Sequence, residues 1–206
     1  MIGGKVRRRR IKVPKVRALR PTADRVKEAL FNILPHDLSG LKVLDLFAGT
    51  GNLSIEALSR GAAEAVLVDA SREAARAIRE NLQTLGLSGK SQVWITPVLR
   101  SLRLLSRKGE RFDLVFLDPP YEKDWVGQTL RAIAQQGLLR ESGILVVEHG
   151  VREKIEVNYG SLALKDQRRY GTTLLSFFVY KQSQASKHGE LKEYGTNQNS
   201  DLSRLL

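Results

Sequence analysis

Residues 42–51, Lys-Val-Leu-Asp-Leu-Phe-Ala-Gly-Thr-Gly, carry an apolar strand directly into a glycine turn, and a helical pattern follows from Asn52. Val43, Leu44, Leu46 and Phe47 form the nearly unbroken apolar run required of a central parallel strand covered on both faces. Gly49 and Gly51 let the backbone bend sharply and let a ligand approach it closely. A strand, a glycine turn and a helix in this order are where a Rossmann-like sheet holds its cofactor. Asp45 interrupts the run, and a carboxylate is costly to bury without a partner. It is therefore expected near the strand's end, ordering the turn or meeting a cationic ligand. A dinucleotide fold places a third glycine three residues after the second, but position 54 is Ser, so nicotinamide is disfavoured.

The rest of the chain repeats the strand–helix alternation. A helix is predicted ahead of the first strand, with Thr22 as its cap, Asp24 in its first turn, Val26, Leu30, Ile33 and Leu34 as its apolar stripe, and Pro35 as its stop. Strands are predicted over 65–68, 93–95, 112–117 and 143–147, with helices between them. Asp69 stands at the carboxyl end of the second strand, where an acid can accept hydrogen bonds from ribose hydroxyls. Its bland alternative is a helix cap, for which Ser71 is better suited. From Leu162 the pattern changes to two strands joined at Tyr170-Gly171 with no helix between them, which predicts a hairpin. The fold expected is α/β, a mostly parallel seven-stranded sheet with an antiparallel last strand.

Charge divides the chain unevenly. The net charge is +12, and residues 1–20 hold nine basic side chains and no acid. Such a segment attracts polyanions, so 1–20 reads as a basic arm or hairpin for RNA, with Arg7, Arg8, Arg9, Arg10 and Arg20 as its contacts. The folded domain is expected over 21–181, and 182–206 reads as a polar, flexible tail. Cysteine is absent, which removes disulfides, thiol nucleophiles and thiolate metal sites. His36, His149 and His188 show no ligand spacing, so no metal is expected. No membrane span or secretory signal is legible, and a cytoplasmic monomer is the expectation.

Asp118-Pro119-Pro120-Tyr121 follows the fourth strand. Two prolines fix the backbone and remove two donors, freeing loop carbonyls for a ligand. An exocyclic purine amine is a poor nucleophile because its lone pair is delocalised into the ring. Hydrogen bonds from its two protons to the Asp118 carboxylate and the Pro119 carbonyl would localise that pair, while Tyr121 stacks on the base. The tetrapeptide and the glycine turn both lie at strand carboxyl ends beside the topological switch, where ligands of such sheets bind.

Asp45-x-Phe47-x-Gly49-x-Gly51 resembles motif I of the S-adenosylmethionine-dependent methyltransferases. With the tetrapeptide, Gly3-Gly4-Lys5, Arg20-Pro21-Thr22, Asp24-Arg25-Val26, Ala29-Leu30-Phe31-Asn32 and Tyr170-Gly171-Thr172, the chain over 2–181 resembles the bacterial small-subunit ribosomal RNA guanine-N2 methyltransferases of the RsmD type. That family methylates guanine 966 of 16S rRNA in an assembled or assembling small subunit. The resemblance implies a Rossmann-like S-adenosylmethionine-dependent methyltransferase fold. It also implies that Asp45, Phe47, Gly49 and Gly51 hold the methionine part of the cofactor, Asp69 the ribose, and Asp118 to Tyr121 the target base. Thr22 would lie near the cofactor and Arg20 near the RNA. The chain departs from many relatives in having no acid in Thr96-Pro97-Val98-Leu99 to meet the adenine amine. Two alternatives remain open: a DNA or RNA adenine-N6 methyltransferase, and a non-catalytic RNA-binding protein on the same scaffold.

Overall fold

The structure, a computed structural model, describes residues 21–120 and 124–181, with side chains from Arg25 onward. The basic arm with Arg7 to Arg10 and Arg20, the side chain of Thr22, Tyr121, His188 and the polar tail lie outside the described residues.

Helix α1 (Pro21–Ile33) leads into β1 (Lys42–Leu46), α2 (Asn52–Ser59), β2 (Glu64–Asp69), α3 (Arg72–Thr84), β3 (Ser91–Ile95), α4 (Val98–Arg107), β4 (Phe112–Leu117) and α5 (Trp125–Gln136). The chain closes with β5 (Leu139–Gly150), β6 (Asn158–Tyr159), β7 (Leu162–Tyr170) and β8 (Thr173–Tyr180). One sheet runs in the order β3-β2-β1-β4-β5-β8-β7-β6. The first five are parallel, and β8 enters antiparallel between β5 and β7. The antiparallel last strand is as expected. The eighth strand, β6, is a two-residue addition at the edge with no periodicity to announce it.

Side-chain alternation splits the core into two layers. Val43, Leu67, Leu114, Phe116, Ile144 and Val146 face Val26, Leu30 and Phe31 of α1, Ile55 of α2 and Ile78 of α3. Leu44, Leu46, Val115, Leu117, Leu145 and Val147 face Val98 and Leu102 of α4 and Leu130 and Ile133 of α5. β1 lies between β2 and β4, so the crossovers leave it in opposite directions, and its carboxyl end is the switch point at which such sheets open to ligands.

One expectation is corrected at α1. The helix begins at Pro21, so Thr22 is its second residue and not its cap. Proline at the first helical position loses nothing by its missing N–H, and its fixed φ suits the helix. The helix is anchored over the sheet by Arg60, whose Nη1 donates to the Phe31 carbonyl at 2.8 Å and whose Nε donates to Glu56 at 3.2 Å. The Phe31 ring in turn meets the Phe116 ring on β4, centroids 5.9 Å apart. This fastening holds α1 against the same sheet face on which the strand-end acids project.

Candidate active site

The glycine turn is built by an exchange of backbone bonds around one carboxylate. Phe47 leaves β1 at φ 63°, and Gly49 and Gly51 follow at 59° and 77°. The Gly49 N–H donates to Asp69 Oδ2 at 2.9 Å, and the Ser71 N–H donates to Asp69 Oδ1 at 2.8 Å. Asp69 thus bridges the turn after β1 to the start of α3, leaving each oxygen a second lone pair. Ser71 caps α3 by accepting from the Ala74 N–H at 3.2 Å, so the capping role considered for Asp69 falls to Ser71. A Cβ on Gly51 would press on Leu67 Cδ2 at 3.1 Å, and its φ of 77° disfavours any side chain there. Phe47 has no such excuse for its positive φ, which costs a non-glycine residue about 1–3 kcal/mol. Its ring packs on Trp125 at 5.8 Å between centroids, tying the turn to the start of α5.

Asp45 is 2% exposed. It accepts from Ser54 Oγ at 2.8 Å and from the Ser54 N–H at 3.3 Å. Burial pushes its carboxyl up, the Ser54 bonds pull against that, and the charges of Asp118 and Asp69 add to the rise, which together leave it at about 7. The residue that stands where a dinucleotide fold has its third glycine is therefore the partner of the strand's acid, a pairing no local pattern signals. A second unsignalled contact joins α1 to α2: buried Lys27 donates from Nζ to Asn52 Oδ1 at 2.7 Å, directly after Gly51.

The tetrapeptide begins beside this turn. The Asp118 N–H reaches the Leu46 carbonyl at 3.5 Å, Pro119 is buried and Pro120 is exposed. Val43, Leu67, Phe116 and Val146 all face the α1–α3 layer, and two residues on from each stand Asp45, Asp69, Asp118 and Glu148. Four neighbouring strands thus deliver four acids, in the order Asp69, Asp45, Asp118, Glu148, to one face at their carboxyl ends. Sequence reasoning gave no role to the last of these. Burial, and then the charge of Asp118, push the Glu148 carboxyl up to about 8. The row is suited to a ligand bearing positive charge and N–H donors, because either relieves carboxylates that crowd one another. Among the described residues no group of three or more His, Asp or Glu side chains is placed to hold a metal ion.

The histidines lie elsewhere. His149 is buried on the opposite, α4–α5 side, with Nε2 2.8 Å from Ser176 Oγ, and His36 is exposed. Burial holds His149 below the ordinary imidazole range. Residue 95, in register with Asp69, is an exposed isoleucine, 42% accessible at the tip of β3.

Residues 1–179 match the family model described as conserved hypothetical protein 95. The Escherichia coli K12 protein named ribosomal RNA small subunit methyltransferase D is 37% identical over 151 residues, which are 73% of this chain and 74% of that protein. Bacillus subtilis YlbH, described as a candidate rRNA methyltransferase, is 34% identical over 178 residues, 86% of this chain and 97% of its own length. Among solved structures, Escherichia coli YhhF, described as a candidate methyltransferase, superposes with a TM-score of 0.76 at 32% identity, covering 88% of this chain and 97% of that one.

Proposed function

This chain belongs to the conserved hypothetical protein 95 family of RsmD-type, S-adenosylmethionine-dependent rRNA methyltransferases, and we propose that its substrate is the exocyclic N2 amine of one guanine in 16S rRNA. The observation that carries this reading is the adjacency of two strand tips: the glycine turn after β1 and Asp118-Pro119-Pro120 after β4. S-adenosylmethionine, when bound, supplies an electrophilic methyl group on a cationic sulfur.

The residues present suit that donor. Its sulfonium and α-ammonium charges fit a face lined by Asp45, Asp69 and Asp118, and the bare backbone at Gly49 and Gly51 admits its methionine part. Asp69, with one free lone pair on each oxygen, holds the ribose hydroxyls. Exposed Ile95 beside it offers an apolar surface for the adenine, in place of the acid missing from 96–99. Asp118 and the Pro119 carbonyl accept the two N2 protons, which draws the nitrogen lone pair out of the purine ring, and the Asp118 carboxylate takes the proton that N2 sheds. Tyr121 stacks on the base and fixes its plane. Most of the rate then comes from orientation.

Labelled donor incubated with small subunits lacking the modification is expected to label a guanine, identified as N2-methylguanosine by nucleoside mass spectrometry. A labelled adenine, or no label in RNA, would refute the assignment.

Arg7 to Arg10 are assigned to phosphate contacts made before the base is reached. Replacing all four with Gln should weaken RNA binding and lower the slope of log K against log salt by about 3, since each lost contact to a single strand removes about 0.7. Filter binding from low to high salt reads this directly, and an unchanged slope would make the arm a solvated tail.

A further inference from the structure

Asp118 alone accepts an amine proton equally well from guanine N2 and from adenine N6, so a residue beside it must distinguish the two purines. We infer that Glu148 does so by accepting the N1–H of the target guanine while Asp118 holds the N2 amine. This rests on the guanine-N2 reading above and deepens it.

Three observations converge on Glu148. Parallel pairing of β4 with β5 ends at Leu117 opposite Val147, so the next residue of each strand, Asp118 and Glu148, stand side by side. They point to the same side of the sheet, as Phe116 and Val146 do two residues earlier, and each feels the other's charge. Glu148 is half-buried, yet no hydrogen bond or ion pair with another described residue engages its carboxyl group, and its neighbour across on β8 is Leu175, which offers no donor. A carboxyl group withdrawn from water without a donor is unfavourable, and such a group marks a place where a ligand supplies one.

The chemistry of the purine edge supplies it. Guanine presents N1–H and the N2 amine on adjacent ring atoms, two donors in a row, whereas adenine presents its N6 amine beside an N1 lone pair. An ionised carboxylate only accepts. With Glu148 ionised, the two carboxylates match the guanine edge at both positions, whereas adenine would set a lone pair against one of them, so the preference for guanine is read above about pH 8, where Glu148 is ionised. The arriving N1–H also favours the ionised form of Glu148, as any donor to a carboxylate does.

The test uses small subunits reconstituted with 16S rRNA carrying either guanine or 2-aminopurine at the target position. 2-Aminopurine keeps the 2-amine but has a lone pair at N1. The parent enzyme is expected to prefer guanine by about 30-fold in kcat/KM, the range of a hydrogen bond to a charged group. Glu148→Ala should reduce that preference to about threefold or less, mainly by slowing the guanine reaction. Glu148→Gln, whose amide can donate to the N1 lone pair, should narrow or invert it. Both variants should bind S-adenosylmethionine within about twofold of the parent. If Glu148→Ala does not fold, Glu148→Gln decides. A preference that survives both substitutions, or equal losses on the two bases, overturns the assignment of Glu148 while leaving the guanine-N2 reading intact. Failure of the parent to form N2-methylguanosine at all removes the reading itself.

Discussion

Asp118→Ala is expected to lower methyl transfer by about a thousandfold or more while leaving affinity for S-adenosylmethionine within about threefold of the parent. The expectation follows from where Asp118 sits. It is the first residue past β4, bound through its N–H to the Leu46 carbonyl, and it projects between Asp45 on one side and Glu148 on the other. Its carboxylate is the group proposed to localise the amine's lone pair as the new bond forms, an interaction made more strongly in the transition state than before it. For the donor it is one of several neighbouring charges. Removing it takes one negative charge from the donor's surroundings, but it also relieves Asp45, whose carboxyl Asp118 pushes upward, so Asp45 ionises more readily and the two effects oppose. Single-turnover rates with labelled donor measure the first quantity and calorimetry the second. Equal losses in both would move Asp118 out of the base site and into the donor site.

The parts of this site that a linear reading finds are those whose signal is local. The apolar run 43–47 with two glycines after it marks β1 and its turn, and the paired prolines mark Asp118. Alternation on either side of Tyr170-Gly171 likewise marks the β7–β8 hairpin, whose turn glycine adopts φ 62°. What escapes is whatever depends on register or on partners distant in the chain. β5 reads as 143–147 but extends over Leu139–Gly150, because β4 advances from Phe112 to Leu114 while β5 advances from Leu139 to Ile144. The intervening Arg140, Glu141 and Ser142 are exposed and carry no apolar pattern. The Ser54 partner of Asp45 and the Asn52 partner of Lys27 come from segments that only the folded turn brings together. Glu148 is visible in the sequence as an acid after the fifth strand, but its position beside Asp118 follows only from the β4–β5 pairing. Thr22 suits a cap by composition, but it lies inside the helix, because proline is favoured at the first helical position.

Asp45→Asn separates the stability of this protein from its capacity for the donor, and the two should move in opposite directions. In the folded protein the Asp45 carboxyl is raised from its ordinary 3.8 to about 7 by burial, so ionising it opposes folding. The stability it supports is fully present below about pH 4 and is lost as pH rises through about 7. Asparagine does not ionise and still offers Ser54 an acceptor, so the variant's advantage over the parent should grow between pH 5 and pH 8. The gain is on the order of 4 kcal/mol at most, and urea titrations of the donor-free protein at the two pH values would measure it. Donor affinity should fall by about a hundredfold or more, because the donor's cationic groups would lose the buried carboxylate proposed to answer them. For the parent the same linkage requires affinity to rise with pH through about 7, with a proton released on binding, a dependence the variant should lack. A stability difference that stays flat from pH 5 to pH 8 would mean that Asp45 is already ionised without the donor. Its countercharge would then have to come from the protein itself, which makes buried Lys27 the next residue to replace.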